Sequence, residues 1–142
     1  MRVQICNRQK SLELPAEQVR RLLRTGLEQE GADAELSVAL VGEQEMERLN
    51  RRFTAREGNT DVLAFPYGVE DGVLHGEIVV NADRAIREAA ERPHDAGDEL
   101  LLYVAHGLLH LLGYGDHEAE ERETMRRREA ELLAAVGRRV EY

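Results

Sequence analysis

Two imidazoles four residues apart, His106 and His110, lie in the run HGLLHLLGYGDH at residues 106–117. At that spacing on a helix they fall on one face, one turn apart, where both rings can reach a single transition-metal ion. Gly113 is a natural helix stop, and a turn through Tyr114, Gly115 and Asp116 swings the chain back so that His117 can supply a third ligand. Three protein ligands leave a tetrahedral ion with one open position, the arrangement of a catalytic site, where bound water is acidified toward neutrality and becomes a nucleophile. Zinc is the expected ion, although histidine-rich sites also accept nickel, copper or iron. The spacing is close to that of the HExxH zinc proteases, but position 107 is glycine. The glutamate general base of those enzymes is therefore absent, which disfavours peptide hydrolysis by that route.

The elements that must position these groups can be read from periodicity. Leu100 to Leu112 is apolar almost all round, interrupted only by His106, Gly107 and His110, so this helix must be buried. Helices are also expected from Leu14-Pro15 to Gly31, from Glu43 through Phe53, over 83–92, and over about 118–136, closing at Gly137. Strands are expected around Val3 and Ile5, over Leu36 to Val41, over Thr60 to Tyr67, and at Ile78 to Val80. Pro66 suggests that the third strand ends early or lies at an edge, and Asp71-Gly72 predicts a hairpin between the third and fourth. Early strands and late helices imply an α+β fold. Its small four-stranded mixed sheet would be covered by about five helices, with a buried central helix carrying the histidines, in one domain over residues 1–142.

Composition narrows the function classes. With 19 Lys and Arg against 28 Asp and Glu, the net charge of −9 counts against a broad electrostatic grip on nucleic acid. Any such contact must be local. No apolar stretch approaches the roughly 18 residues needed to span a bilayer, and the N-terminus lacks a secretion signal. A soluble cytoplasmic protein without a membrane partner is expected. The one cysteine, Cys6, cannot form an intramolecular disulfide and reads as a small core residue.

The run at 106–117 resembles the signature of the YbeY family of bacterial endoribonucleases, H-G-x-L-H-L-x-G-Y-D-H. Asn59 to Pro66, NTDVLAFP, is similar to the family's TDVLSFP strand, Leu49-Asn50 matches its LN, and Gly76-Glu77-Ile78 resembles its G-D-I. The pieces fall in family order across roughly residues 35–136. The resemblance implies a single-strand-specific, metal-dependent endoribonuclease. It would act in 3′-end maturation of 16S ribosomal RNA and in ribosome quality control, with single-stranded ribosomal RNA and the small subunit as partners and no DNA. It also implies a four-stranded α+β fold and one zinc ion held by His106, His110 and His117.

Two departures from the family pattern bear on the site. Gly115 is inserted, so Asp116 stands at the family's usual offset for the third ligand and is the alternative to His117. Thr54 stands where the family has an arginine thought to act on the substrate phosphate. Arg52 and Arg56 are candidates to replace it, because a guanidinium binds phosphate oxygens in bidentate fashion. Asp61 is a candidate to orient a histidine or to sit at the cleft, and is equally suited to capping a turn. Glu77 is a possible general base, whereas His75 and His94 read as surface residues. Two further readings stay open: an assembly factor that keeps the metal but has lost turnover, and a metallohydrolase of another substrate.

Overall fold

The computed structural model describes residues 1–141. In chain order its elements are β1 (Arg2–Asn7), α1 (Ala16–Gln29), β2 (Asp33–Val41), α2 (Glu43–Thr54), β3 (Val62–Glu70), β4 (Val73–Asn81), α3 (Ala82–Ala90), α4 (Ala96–Leu111) and α5 (Ala119–Ala135). The expected α+β architecture is present, with strand order β1-β2-β4-β3. β1 and β4 both pair with β2 in parallel, and β3 pairs with β4 antiparallel, which makes the sheet mixed.

Local chemistry explains the hairpin. Asp71 and Gly72 have φ of 51° and 76°, the pair of left-handed residues whose twist matches two antiparallel strands. Pro66 does not end β3. It sits on an edge strand beside a register shift between Pro66 and Gly68, where the missing N–H removes no ladder bond.

The period of two along β2 and β4 sorts their residues between two cores. Leu36, Val38, Leu40, Ile78 and Val80 pack with leucines of α1, α4 and α5. Ala39, Val41 and Val79 face the other way and pack with Leu63 and Met46 of α2. Val3 and Ile5 join the first core, so Cys6 points to the second face, where it is exposed rather than buried as expected. No described helix is long and apolar enough to cross a membrane.

α4 lies against the sheet with little clearance. A Cβ built on Gly107 would stand 2.8 Å from Ile78 Cγ2 and 3.2 Å from Val62 Cγ2, both on β-branched side chains that cannot swing away. Alanine at that position would gain about 1 kcal/mol of helix propensity but lose about 2–3 kcal/mol to overpacking. Gly107→Ala is therefore expected to lower the urea midpoint, by a net of about 1–2 kcal/mol of stability, and a raised midpoint would mean that the helix can back off the sheet.

Candidate metal centre

The end of α4 is built to reverse the chain. Tyr114 N–H donates to the Leu109 carbonyl at 2.9 Å and Gly113 N–H to the His110 carbonyl at 3.0 Å, with Gly113 at φ +99°. This pair of bonds closes the helix over a left-handed residue. The Tyr114 hydroxyl donates to Glu30, tying the turn to the end of α1. A Cβ on Gly115 would collide with the Glu121 carboxylate, which belongs to the capping box that Glu118 and Glu121 form at the start of α5. A side chain there would displace the Glu121 carboxylate from its cap, and the next residue, Asp116, turns inward.

Three ligand-type atoms converge on α4. His106 Nε2 and His110 Nε2 lie 2.9 Å apart, and Asp116 Oδ2 lies 3.5 Å from the first and 3.2 Å from the second. The partners of the other ring nitrogens settle the tautomers. His106 Nδ1 faces Glu129 Oε2 at 2.7 Å and His110 Nδ1 faces the Tyr114 carbonyl at 3.0 Å. Both partners only accept, so each Nδ1 carries the proton and each Nε2 presents a lone pair. Two lone pairs and a carboxylate oxygen aimed at one point repel unless a cation or a proton lies between them. Tetrahedral zinc with bonds of about 2.0–2.1 Å spaces its ligand atoms by about 3.3 Å, close to what these side chains already adopt. The donor set therefore fits a borderline transition ion.

A cleft of about 300 Å³ opens beside His106 and Asp116, lined also by Asp61, Tyr103, Glu129 and four arginines, Arg84, Arg92, Arg122 and Arg126. Burial, followed by the Glu99 carboxylate, pushes the Tyr103 phenol up, so it stays protonated.

Where the structure places the expected residues differs in several respects. The third converging group is Asp116, not His117. His117 is exposed, and its carbonyl accepts from Arg122 at 2.6 Å. The inserted Gly115 is the reason, because it puts Asp116 at the position from which the turn points in. Asp61 reaches the cleft and also caps the start of β3, accepting from Val62 N–H at 2.8 Å. Arg52 and Arg56 are exposed and are not among the cleft's lining residues. Thr54 Oγ1 is engaged by Asn50 of its own helix. Glu77 lies away from the cleft and accepts from the Tyr67 hydroxyl at 3.1 Å. His75 is partly exposed, but His94 is not the surface residue expected. Its side chain is 2% exposed and bonds Glu99 at 2.6 Å, and the Glu141 backbone N–H donates to its Nδ1.

Glu129 escaped the sequence analysis. A signal existed: Met125, Glu129, Leu132 and Leu133 share the buried face of α5, and a carboxylate in an apolar stripe needs a partner. The buried Asn81 also went unread. It caps α3 through Arg84 N–H and donates to Asn59 Oδ1 and the Thr60 carbonyl, which fixes the loop that delivers Asp61.

Burial alone would lower the His106 pKa, but the hydrogen bond and charge of Glu129, with Asp61 and Asp116 behind, outweigh it and hold the imidazole above its ordinary value. In the metal-free chain, protonated His106 then stabilises the fold fully below its unfolded pKa of about 6.5, and this contribution is lost as pH rises through the higher folded value. A metal competes for the same lone pair, so its affinity falls as pH drops. The thermal midpoint of the metal-free protein should decline from about pH 6 to about pH 8 more steeply than that of Glu129→Gln, and zinc should reverse the trend. A metal-free profile identical in the two proteins would contradict this account.

Comparison with known proteins adds the following. A family model described as endoribonuclease YbeY matches residues 4–137. A protein of Anaeromyxobacter sp. (strain Fw109-5) named endoribonuclease YbeY is 44% identical over 108 residues, which cover 75% of this chain and 56% of that protein. Its counterpart in Anaeromyxobacter dehalogenans is 41% identical, with coverage of 74% and 55%. The chain thus spans about half the length of these two relatives. One of the same name from Syntrophotalea carbinolica is 37% identical and is matched over 94% of this chain and 95% of its own. A Thermotoga maritima protein of known solution structure aligns with a TM-score of 0.65 at 28% identity, covering 93% of this chain and 89% of that one.

Proposed function

Because the chain belongs to the endoribonuclease YbeY family, we propose that it is a zinc-dependent endoribonuclease that cuts single-stranded ribosomal RNA. Its place would be the cytoplasm, in 3′-end maturation of the small-subunit 16S RNA and in ribosome quality control. The observation that carries this reading is the pair of Nε2 lone pairs held 2.9 Å apart with the Asp116 carboxylate beside them. That arrangement is unfavourable without a cation or a proton between the atoms, and it borders a cleft large enough to admit part of a nucleotide.

His106, His110 and Asp116 would hold the ion, which would supply Lewis acidity toward water and the scissile phosphate. The protein does the rest. Glu129 and the Tyr114 carbonyl fix the two rings in the one tautomer that can ligate. Asp61, at the cleft wall, would take the proton of the attacking water as the bond from phosphorus to the departing nucleoside oxygen breaks, and that oxygen would be protonated from solvent. Arg122 and Arg126 face the phosphate from α5 and offset the charge that builds on its oxygens. Arg84 and Arg92 pair with Glu88 and so shape the cleft more than they neutralise the substrate.

One observation favours a second reading, a metal-containing assembly factor with little turnover: Thr54 replaces the family arginine, and neither Arg52 nor Arg56 lines the cleft. The test is to incubate zinc-loaded protein with single-stranded and duplex RNA, beside a chelated sample and His110→Ala. We expect the single strand alone to be cut, with both controls at least about a thousandfold slower. Equal cleavage by His110→Ala would mark a contaminant and leave the assembly role.

A further inference from the structure

The chain has two phenylalanines and four tyrosines, and three of these six gather where α2 meets β3. The apolar stripe of α2, Met46, Leu49 and Phe53, packs toward the sheet face opposite α4. Its last member emerges into solvent, so that Phe53 is 56% exposed. The Phe53 ring meets that of Phe65 edge to face with centroids 5.3 Å apart. Tyr67, two residues further along the same edge strand, is 66% exposed, with its hydroxyl on Glu77, the residue paired across from Phe65. Two of these rings, Phe53 and Tyr67, are thus largely in water, with the half-buried Phe65 in contact with the first.

Charge around the rings points to their occupant. Between Arg48 and Arg56 the sequence holds four arginines and no carboxylate, in a chain whose net charge is −9. Elsewhere Arg8, Arg87, Arg92, Arg128 and Arg138 are tied to carboxylates, while among the described residues Arg21, Arg24 and Arg127 also enter no ion pair but have no exposed aromatic ring stacked beside them. Among the described residues the side chains of Arg48, Arg51, Arg52 and Arg56 enter no ion pair. Arg52 instead stacks on Phe53, its guanidinium carbon 5.3 Å from the ring centroid, which keeps a planar cation beside a planar apolar face. Aromatic rings interleaved with uncompensated arginines are what unpaired nucleotides require: faces on which bases stack and cations for the phosphates between them.

The patch lies on the sheet face opposite α4, at the edge strand β3, and the chain itself links it to the cleft. Only residues 55–61 separate the end of α2 from the start of β3, and Asp61, the last of them, lines the cleft beside His106. We infer that Phe53, Phe65 and Tyr67 form a stacking platform for unpaired bases of the RNA strand leading into the cleft, with Arg48, Arg51, Arg52 and Arg56 holding its phosphates. This rests on the RNA-cleaving reading above and adds to it the source of strand selectivity. Bases in a duplex already stack on one another and cannot offer their faces, so the platform accepts only single strands. It also gives Arg52 and Arg56 a task that their position outside the cleft allows.

The test separates binding from cleavage by using metal-free full-length protein in chelator. A fluorescein-labelled single strand of about 12 nucleotides and a duplex of the same sequence are titrated by fluorescence anisotropy at several salt concentrations. Phe53→Ala should weaken single-strand binding about tenfold and Phe53→Trp should restore it. The double variant Arg51→Gln/Arg52→Gln should reduce the slope of log K against log salt by about 1.4, the share of two phosphates on a single strand. Duplex binding should be weak and unchanged in both. Because these residues are exposed and distant from the histidines in the chain, zinc content measured separately should match the parent's. Unchanged single-strand affinity in Phe53→Ala, or the parent's salt slope in the arginine variant, overturns the platform. So does displacement of RNA by polyglutamate at equal charge, which would identify an acidic protein as the occupant. Binding that depends on Phe53 in a chain that never cuts RNA would keep the platform and sink the nuclease.

Discussion

Asp116→Ala is expected to lose stoichiometric zinc under conditions in which His117→Ala keeps it. Asp116 Oδ2 already stands 3.2 Å and 3.5 Å from the two imidazole nitrogens, whereas His117 is exposed and engaged through its backbone. A structural zinc is worth about 10–16 kcal/mol over four ligands, so one ligand contributes roughly 3–4 kcal/mol, a hundredfold to a thousandfold in affinity. Chelator competition should show that loss for Asp116→Ala and a change within about threefold for His117→Ala. RNA cleavage should fall in step. In cobalt-substituted protein the visible spectrum should change for the aspartate variant alone, because only a ligand alters the ion's coordination. The opposite pattern would mean that the turn at 113–117 rearranges when the ion enters and that the family's third histidine is used after all.

The second large effect concerns Glu129, whose carboxylate is 3% exposed and bonds His106 at 2.7 Å. Truncating His106 does more than remove a ligand, since it leaves a buried carboxylate without that partner. His106→Ala should therefore cost about 2–3 kcal/mol of stability even in metal-free protein, while His110→Ala, whose ring faces a backbone carbonyl, its fellow imidazole and the partly exposed Asp116 carboxylate but no buried one, should cost less. Glu129→Gln keeps an acceptor for Nδ1 but loses the charge. It should fold normally and bind zinc about 10–100-fold more weakly. Replacing both residues with leucine should recover part of the stability lost in His106→Ala without recovering the metal, because the buried charge leaves with its partner. Denaturant unfolding with and without zinc measures all of these. Equal stabilities of His106→Ala and His110→Ala in chelator would show that Glu129 finds full compensation elsewhere.

Much of this site was legible because its main signals are local. Four-residue spacing on a helix places His106 and His110 together whatever surrounds them. The apolar composition of Leu100 to Leu112 required burial, and Asp71-Gly72 announced a hairpin that formed with both residues at positive φ. The same locality made Gly113 readable as the stop of α4. The choice between His117 and Asp116 lay beyond it, since a turn of four residues can present either side chain. The folded turn made that choice: the Tyr114 hydroxyl anchors it to α1, and Asp116 rather than His117 then faces the two imidazoles.

Misread residues share one physical cause, which is dependence on partners distant in the chain. Cys6 alternates with apolar neighbours as a core residue would, yet α2 covers only part of the second sheet face and leaves it exposed. His94 sits in a polar stretch, but its buried ring accepts from the backbone N–H of Glu141, far along the chain. Sequence by itself determined the fold class and the pair of histidines, on one face of α4, that could hold a metal, because periodicity and short spacings are properties of neighbouring residues. Only the tertiary structure decided that a carboxylate rather than a third imidazole completes the triangle, that Glu129 holds the first ring, and that Arg52 stacks on an exposed aromatic ring instead of lining the cleft. Those outcomes depend on which surfaces meet, and surfaces meet through contacts between residues tens of positions apart, which no local pattern records.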